Sequence, residues 1–153
     1  IFSPGRNLEQ ISTAIDAMNQ QLNPLLDISR LDLGDAVPRR EAIALQPLIE
    51  RVVAMHRPGG HAKGLSLRLI PPTAWRESDA YLLERMIGNL ISNAVRYTSE
   101  GGVVVGVRRS GSDWRIEIRD SGIGIAREQL SLIFQEFFQI YNPERDAGKG
   151  LGL

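Results

Sequence analysis

The feature that most restricts how this chain can fold is a change of period between residues 79 and 120. "DAYLLERMIGNLISNAVRYT" (79–98) repeats its apolar residues at helical spacing, whereas "GGVVVGVRR" (101–109) and "WRIEIRD" (114–120) alternate and are joined by "SGSD". The first pattern predicts a long amphipathic helix with Asp79 or Ser78 as N-cap, and the second an antiparallel hairpin. A one-faced helix followed at once by a hairpin needs a layered α/β arrangement, because each element must bury its apolar face on another.

The flanking sequence extends that plan. "EAIAL" predicts a short strand, "LQPLIERVVAMH" a helix that carries Pro47 in its first turn and ends at "RPGGH", and "LSLRLI" a strand. "PPTAWRES" reads as a turn and a brief extended piece, and "AREQLSLIFQEFF" as a helix before the loop "QIYNPERDAGKG". Upstream, Leu8, Ile11, Ile15, Met18, Leu22 and Leu25 follow the three-four spacing of a helix that packs on other helices. Pro24 predicts a bend near Asn23, and Gly34 and Pro38 predict a stop and a linker. The expected boundaries are a helical arm over 1–37 and an α/β sandwich of mixed strand order over 38–153.

Global properties point to a local site. The 18 basic and 18 acidic residues of the 153 cancel, so nothing draws the whole chain to nucleic acid or to an anionic membrane. No apolar run approaches bilayer length, and the absence of cysteine excludes disulfides and thiolate metal sites. These features agree with a cytoplasmic location. Both ends, "IFSPGRN" and "GKGLGL", read as cuts in a longer protein.

Three stretches can carry chemistry. On the long helix, Leu83, Met86, Ile87, Leu90, Ile91, Ala94 and Val95 are expected on the apolar arc, with Arg85, Asn89, Ser92, Asn93 and Arg96 opposite. That pattern suits a plain wet face. It could instead offer a metal-ligating amide, a phosphate contact and the stacking ring of Tyr97 along one edge, since an amide oxygen is a hard ligand fit for Mg²⁺. In "DSGIGI", Gly122 and Gly124 permit close approach of a flat base, and an ionised Asp120 accepts from an exocyclic amine; the alternative is an ordinary strand-to-helix turn. In "GKGLGL", freed backbone N–H groups can cradle an anion. A dinucleotide fingerprint is excluded because Arg127 stands at the third glycine position and the preceding strand belongs to a hairpin. No P-loop consensus is present.

Taken in order, "NLISNAVRYT", "DSGIGI", "FQEFF" and "GKGLGL" resemble the N, G1, F and G2 boxes of sensor histidine kinases, within the superfamily of gyrase, Hsp90, histidine kinase and MutL-type ATPases. The resemblance runs from about residue 40 to 153, and "LLDISRLDLG" resembles the end of the second helix of the dimerisation and phosphotransfer hairpin. It implies an α+β fold of Bergerat type: a two-layer sandwich with a mixed sheet covered on one face by helices, preceded by the helical arm. It implies binding of ATP with Mg²⁺. Asn93 would be the metal ligand, Asn89 would lie beside the phosphates, and Arg96 and Tyr97 would contact phosphate and nucleotide. Asp120 would accept from the adenine amino group, with Gly122 and Gly124 shaping the base pocket. Phe134, Phe137 and Phe138 would anchor a lid over about 139–149 that includes Arg145, Gly148 and Lys149, and Gly150 and Gly152 would bind the phosphates. "KGLGL" aligns in two ways, so Gly148 belongs either to the lid or to the cradle.

The implied activity is transfer of the γ-phosphoryl group to a histidine, for relay to a response-regulator receiver domain, by a kinase that forms a homodimer through the arm. His56 and His61, the only two histidines, sit in the wrong region for the acceptor and read as surface or packing residues, which places the acceptor upstream of Ile1. Two rivals are an ATPase of the chaperone or mismatch-repair branch and a non-enzymatic nucleotide-sensing or dimerisation module. The first commonly carries a glutamate base on the long helix, where asparagine stands here.

Overall fold

The computed structural model describes residues 38–72, 74–135 and 138. Residues 38–124 form one compact unit. Its strands are β1 (Glu41–Ala44), β2 (Ser66–Ile70), β3 (Trp75–Ser78), β4 (Gly102–Ser110) and β5 (Asp113–Asp120), and its helices are α1 (Leu45–Ala62) and α2 (Ala80–Tyr97). The fold class is the mixed α/β arrangement expected. β2 runs parallel to β4, and β4 antiparallel to β5, while β1 and β3 pair separately as an antiparallel ribbon.

Strand alternation builds the core. Leu67 faces Val103, Leu69 faces Val105, and Val105 and Val107 face Ile118 and Ile116, so one side of the three-stranded sheet is apolar. Ile49, Val52 and Val53 of α1 and Ile87, Ile91 and Ala94 of α2 close over it. Each such Ile or Val contributes roughly 1.5–3 kcal/mol through burial. Across the helix pair, Arg51 clasps Glu84 through Nε (3.2 Å) and Nη2 (2.9 Å). The opposite side of the sheet is charged, with Glu117 between Arg108 and Arg119. Those guanidiniums, Arg108 first, hold the Glu117 carboxyl below its usual range.

Two sequence expectations are overturned. α1 does not end at "RPGGH" but continues through Pro58 to Ala62. The stop is Gly64, in the left-handed region at φ 69°, where its N–H donates to His61 O and the Leu65 N–H donates to Gly60 O. This paired closure, sealed by buried Leu65, terminates the helix more firmly than a proline whose own lost bond is one of many. The second concerns residues 126–138. Those described contain a 3₁₀ turn, Arg127–Gln129, and further turns rather than an α-helix. Ala126 offers no side-chain acceptor for the first orphan N–H groups, and bonds such as Gln129 N to Ala126 O and Leu130 N to Arg127 O span three residues.

Candidate functional site

α2 is held at both ends. At its start, Asp79 Oδ1 accepts from Leu82 N at 2.9 Å and Oδ2 from Arg39 N at 2.8 Å. The Leu82 amide, followed by that of Arg39, keeps the Asp79 carboxyl below its ordinary range. At its finish, the chain leaves the helix through Thr98, which is fully buried and donates from Oγ1 to Ala94 O at 2.7 Å. Lys63, at the end of α1, donates from Nζ to Val95 O (2.9 Å), Arg96 O (2.7 Å) and Thr98 O (3.4 Å). The Tyr97 carbonyl accepts from Ile123 N at 3.3 Å.

That last bond joins the helix to the loop after β5. There Asp120 Oδ1 accepts from Gly122 N at 2.9 Å, leaving Oδ2 without a hydrogen bond among the described residues. Ser121 ties the loop to the start of the neighbouring strand β4: its Oγ donates to Glu100 O at 2.8 Å and accepts from Gly102 N at 3.0 Å. Gly122 is packed so closely that a Cβ there would lie 2.4 Å from Tyr97 O, 2.9 Å from Asp120 Oδ1 and 3.0 Å from Thr98 Oγ1. No side chain fits. The glycine serves backbone approach, and it brings the exposed carboxylate of Asp120 to the C-terminal end of the helix that carries the asparagines.

Asn89 and Asn93 are exposed on α2, and Tyr97 is 43% exposed in the same direction along the helix. Arg96 is half-buried and partnered within the protein. Gly124 is exposed, at φ 68°. Phe134 is 89% exposed and Phe138 half-buried. Phe137, Arg145, Gly148, Lys149, Gly150 and Gly152, like the arm over 1–37, lie outside the described residues. The expected apolar arc of α2 needs correction. Met86 (63%) and Leu90 (52%) are exposed and share the asparagine side, whereas Ile87, Ile91 and Ala94 alone are buried. Two large apolar side chains are thus exposed beside the two amides of α2.

Sequence reasoning missed Lys63, Thr98 and Ser121. Thr98 and Ser121 lie inside quoted motifs; the Thr98 hydroxyl borders Gly122, and that of Ser121 holds the loop to the start of β4. Lys63 has no local signal, because its acceptors are 32 to 35 residues away. His56 packs as expected: its Nδ1 is 2.8 Å from Val52 O, and its ring lies beside Gly88 of α2. His61 is exposed. No group of three or more His, Cys, Asp or Glu side chains converges among the described residues.

Residues 78–153 match the family model described as histidine kinase-, DNA gyrase B- and HSP90-like ATPase. The sensor-like histidine kinase SenX3 of Mycolicibacterium smegmatis is 29% identical over 97% of this chain and 40% of its own length. The sensor protein TorS of Escherichia coli is 32% identical over 96% of this chain and 16% of its own. The chain thus spans less than half the length of these curated relatives. Among solved structures, full-length ShkA in complex with AMPPNP superposes with a TM-score of 0.73 at 22% identity, over 99% of this chain and 32% of that one. The Acinetobacter baumannii histidine kinase AdeS gives 0.69 at 20% identity, over 85% and 66%.

Proposed function

Because this chain carries a histidine kinase ATP-binding catalytic domain, we propose that it binds Mg·ATP on the exposed edge of α2 and presents the γ-phosphoryl group to a histidine outside residues 38–153. The observation that carries the reading is the Gly122 pinch. It links the strand-end carboxylate to the helix bearing Asn89 and Asn93, so two motifs 20 or more residues apart in sequence act on one ligand.

The residues present fit such a ligand. Asp120 keeps Oδ2 for the exocyclic amine of adenine, an acceptor that distinguishes an amino group from a carbonyl. Gly122 lets the loop close on the Tyr97 carbonyl, which sets where Asp120 stands for the base. Tyr97, Leu90 and Met86 supply apolar contact area. The amide oxygen of Asn93 would hold Mg²⁺ together with the phosphates, with Asn89 beside them; the metal would neutralise charge on the phosphoryl oxygens. Arg96 and Tyr97 would steady phosphate and nucleotide. Phe134, Phe137 and Phe138 would anchor the lid over about 139–149, with Arg145 and Lys149 in it, and Gly150 and Gly152 would cradle the phosphates. Catalysis by such a domain is mainly positioning, because the attacking imidazole comes from elsewhere.

Residues 38–153 would then be the catalytic domain and 1–37 part of a dimerisation arm. A homodimer, a receiver-domain partner and a cytoplasmic location complete the proposal. Calorimetric titration with ADP and a nonhydrolysable ATP analogue, with and without Mg²⁺, tests it. Binding that Mg²⁺ strengthens, that Asp120→Asn abolishes and that Asn93→Ala renders insensitive to Mg²⁺ is the expected result. A folded chain that binds neither nucleotide would sink the reading.

A further inference from the structure

Most helices pass their last carbonyls to water or to a left-handed turn of their own chain. α2 does neither. Its cap residue Thr98 is extended, at φ −103° and ψ 125°. The four terminal carbonyls are nonetheless all occupied: Ala94 by Thr98 Oγ1, Val95 and Arg96 by Lys63 Nζ, and Tyr97 by the Ile123 N–H. Half of them depend on one ammonium group supplied by the preceding helix.

We infer that Lys63 is a positioning residue of the nucleotide site, acting through the carbonyls that flank Tyr97. The inference rests on the nucleotide-binding reading above. The ammonium holds residues 95 and 96 on one side of Tyr97 and reaches Thr98 on the other. Between them, the Tyr97 carbonyl accepts from Ile123 and bears directly on Gly122, whose N–H in turn orients Asp120. Lys63 therefore fixes the spacing between the Asn93–Tyr97 turn and the Asp120 loop without touching the ligand.

The chemistry suits a lysine. Three N–H donors meet three carbonyl acceptors, and a cation at this place faces the negative end of the helix dipole. Its own backbone is anchored: Lys63 N donates to Gly60 O at 3.0 Å, and the Gly64 closure follows immediately. The side chain thus reaches α2 from a fixed base, at the cost of its rotamer freedom.

The test compares ADP affinity of the wild-type chain, Lys63→Met, Lys63→Arg and Arg51→Met by calorimetry, with thermal unfolding of each. Arg51→Met removes another cationic contact between α1 and α2, the one to Glu84, away from the helix end. The expected result is a loss of roughly three- to tenfold in ADP affinity for Lys63→Met, recovery in Lys63→Arg, and wild-type affinity in Arg51→Met even though its midpoint also falls. Wild-type affinity in Lys63→Met would overturn the inference, as would equal losses in Lys63→Met and Arg51→Met. If Lys63→Met does not fold, Lys63→Gln replaces it, and wild-type affinity there is equally fatal. A wild-type chain that binds no ADP would overturn the nucleotide reading itself, and the role of Lys63 with it.

Discussion

A single hydrogen atom decides the geometry of the candidate site. At Gly122 any Cβ would meet the Tyr97 carbonyl at 2.4 Å, so Gly122→Ala must push the loop off the helix end. The forced shift is expected to cost roughly 1–3 kcal/mol in chemical denaturation and to remove measurable ADP binding, because Asp120 moves with the loop. Thr98→Val gives a milder contrast. It keeps the volume but leaves the Ala94 carbonyl without its buried hydroxyl partner, for an expected loss of about 1–2 kcal/mol. Asp120 and Gly122 were legible in the sequence because carboxylate and glycine types narrow the chemistry by themselves. Lys63 was not, since a lysine beside a helix end looks the same whether its ammonium meets water or three distant carbonyls.

At the scale of elements, terminators were harder to read than periods. All five strands and both helices of residues 38–124 follow patterns visible in the sequence, and Asp79 is the N-cap expected. The errors fall where two stop signals compete, or where none is present. "PGG" lost to Gly64 because its left-handed turn lets the Gly64 and Leu65 amides satisfy two helix carbonyls, while Pro58 forfeits only its own bond. Gly64→Ala is accordingly expected to cost about 1 kcal/mol, read from urea midpoints, with ADP affinity preserved when the chain is folded. The exposed positions of Met86 and Leu90 escaped the periodicity because an apolar residue at the solvent edge of a helical arc and one facing the core look alike in sequence. The cap of α2 also predicts a pH response. The Asp79 carboxyl is held low by backbone amides, that of Leu82 first, so the folded state favours its ionised form. Its contribution is complete above the ordinary carboxylate value and disappears as pH falls through the lowered one. Asp79→Asn keeps a capping oxygen but not the charge. The wild-type advantage over Asp79→Asn is therefore expected at neutral pH and to vanish on acidification, measured by denaturation at matched salt; an advantage unchanged at low pH would contradict it.

For the molecule as a whole, the placing of the two histidines bears on where a phosphoryl acceptor can lie. His56 is half-buried on α1, with Nδ1 against Val52 O and its ring beside Gly88. His61 is exposed in the last turn of α1. The face proposed for nucleotide lies instead along the exposed edge of α2, which presents Asn89, Asn93 and Tyr97. On the proposed reading, a phosphoryl group delivered from that edge would meet a histidine brought in on another polypeptide. With γ-labelled ATP, the expected result is no label on His56 or His61 and label on a hairpin domain bearing an acceptor histidine supplied in trans. His61→Gln should leave that transfer within about twofold of wild type, as for an exposed side chain with no structural partner. Label on His61 of the chain alone would instead mean that the donor site can reach the end of α1, and the acceptor assignment would have to move into the catalytic domain.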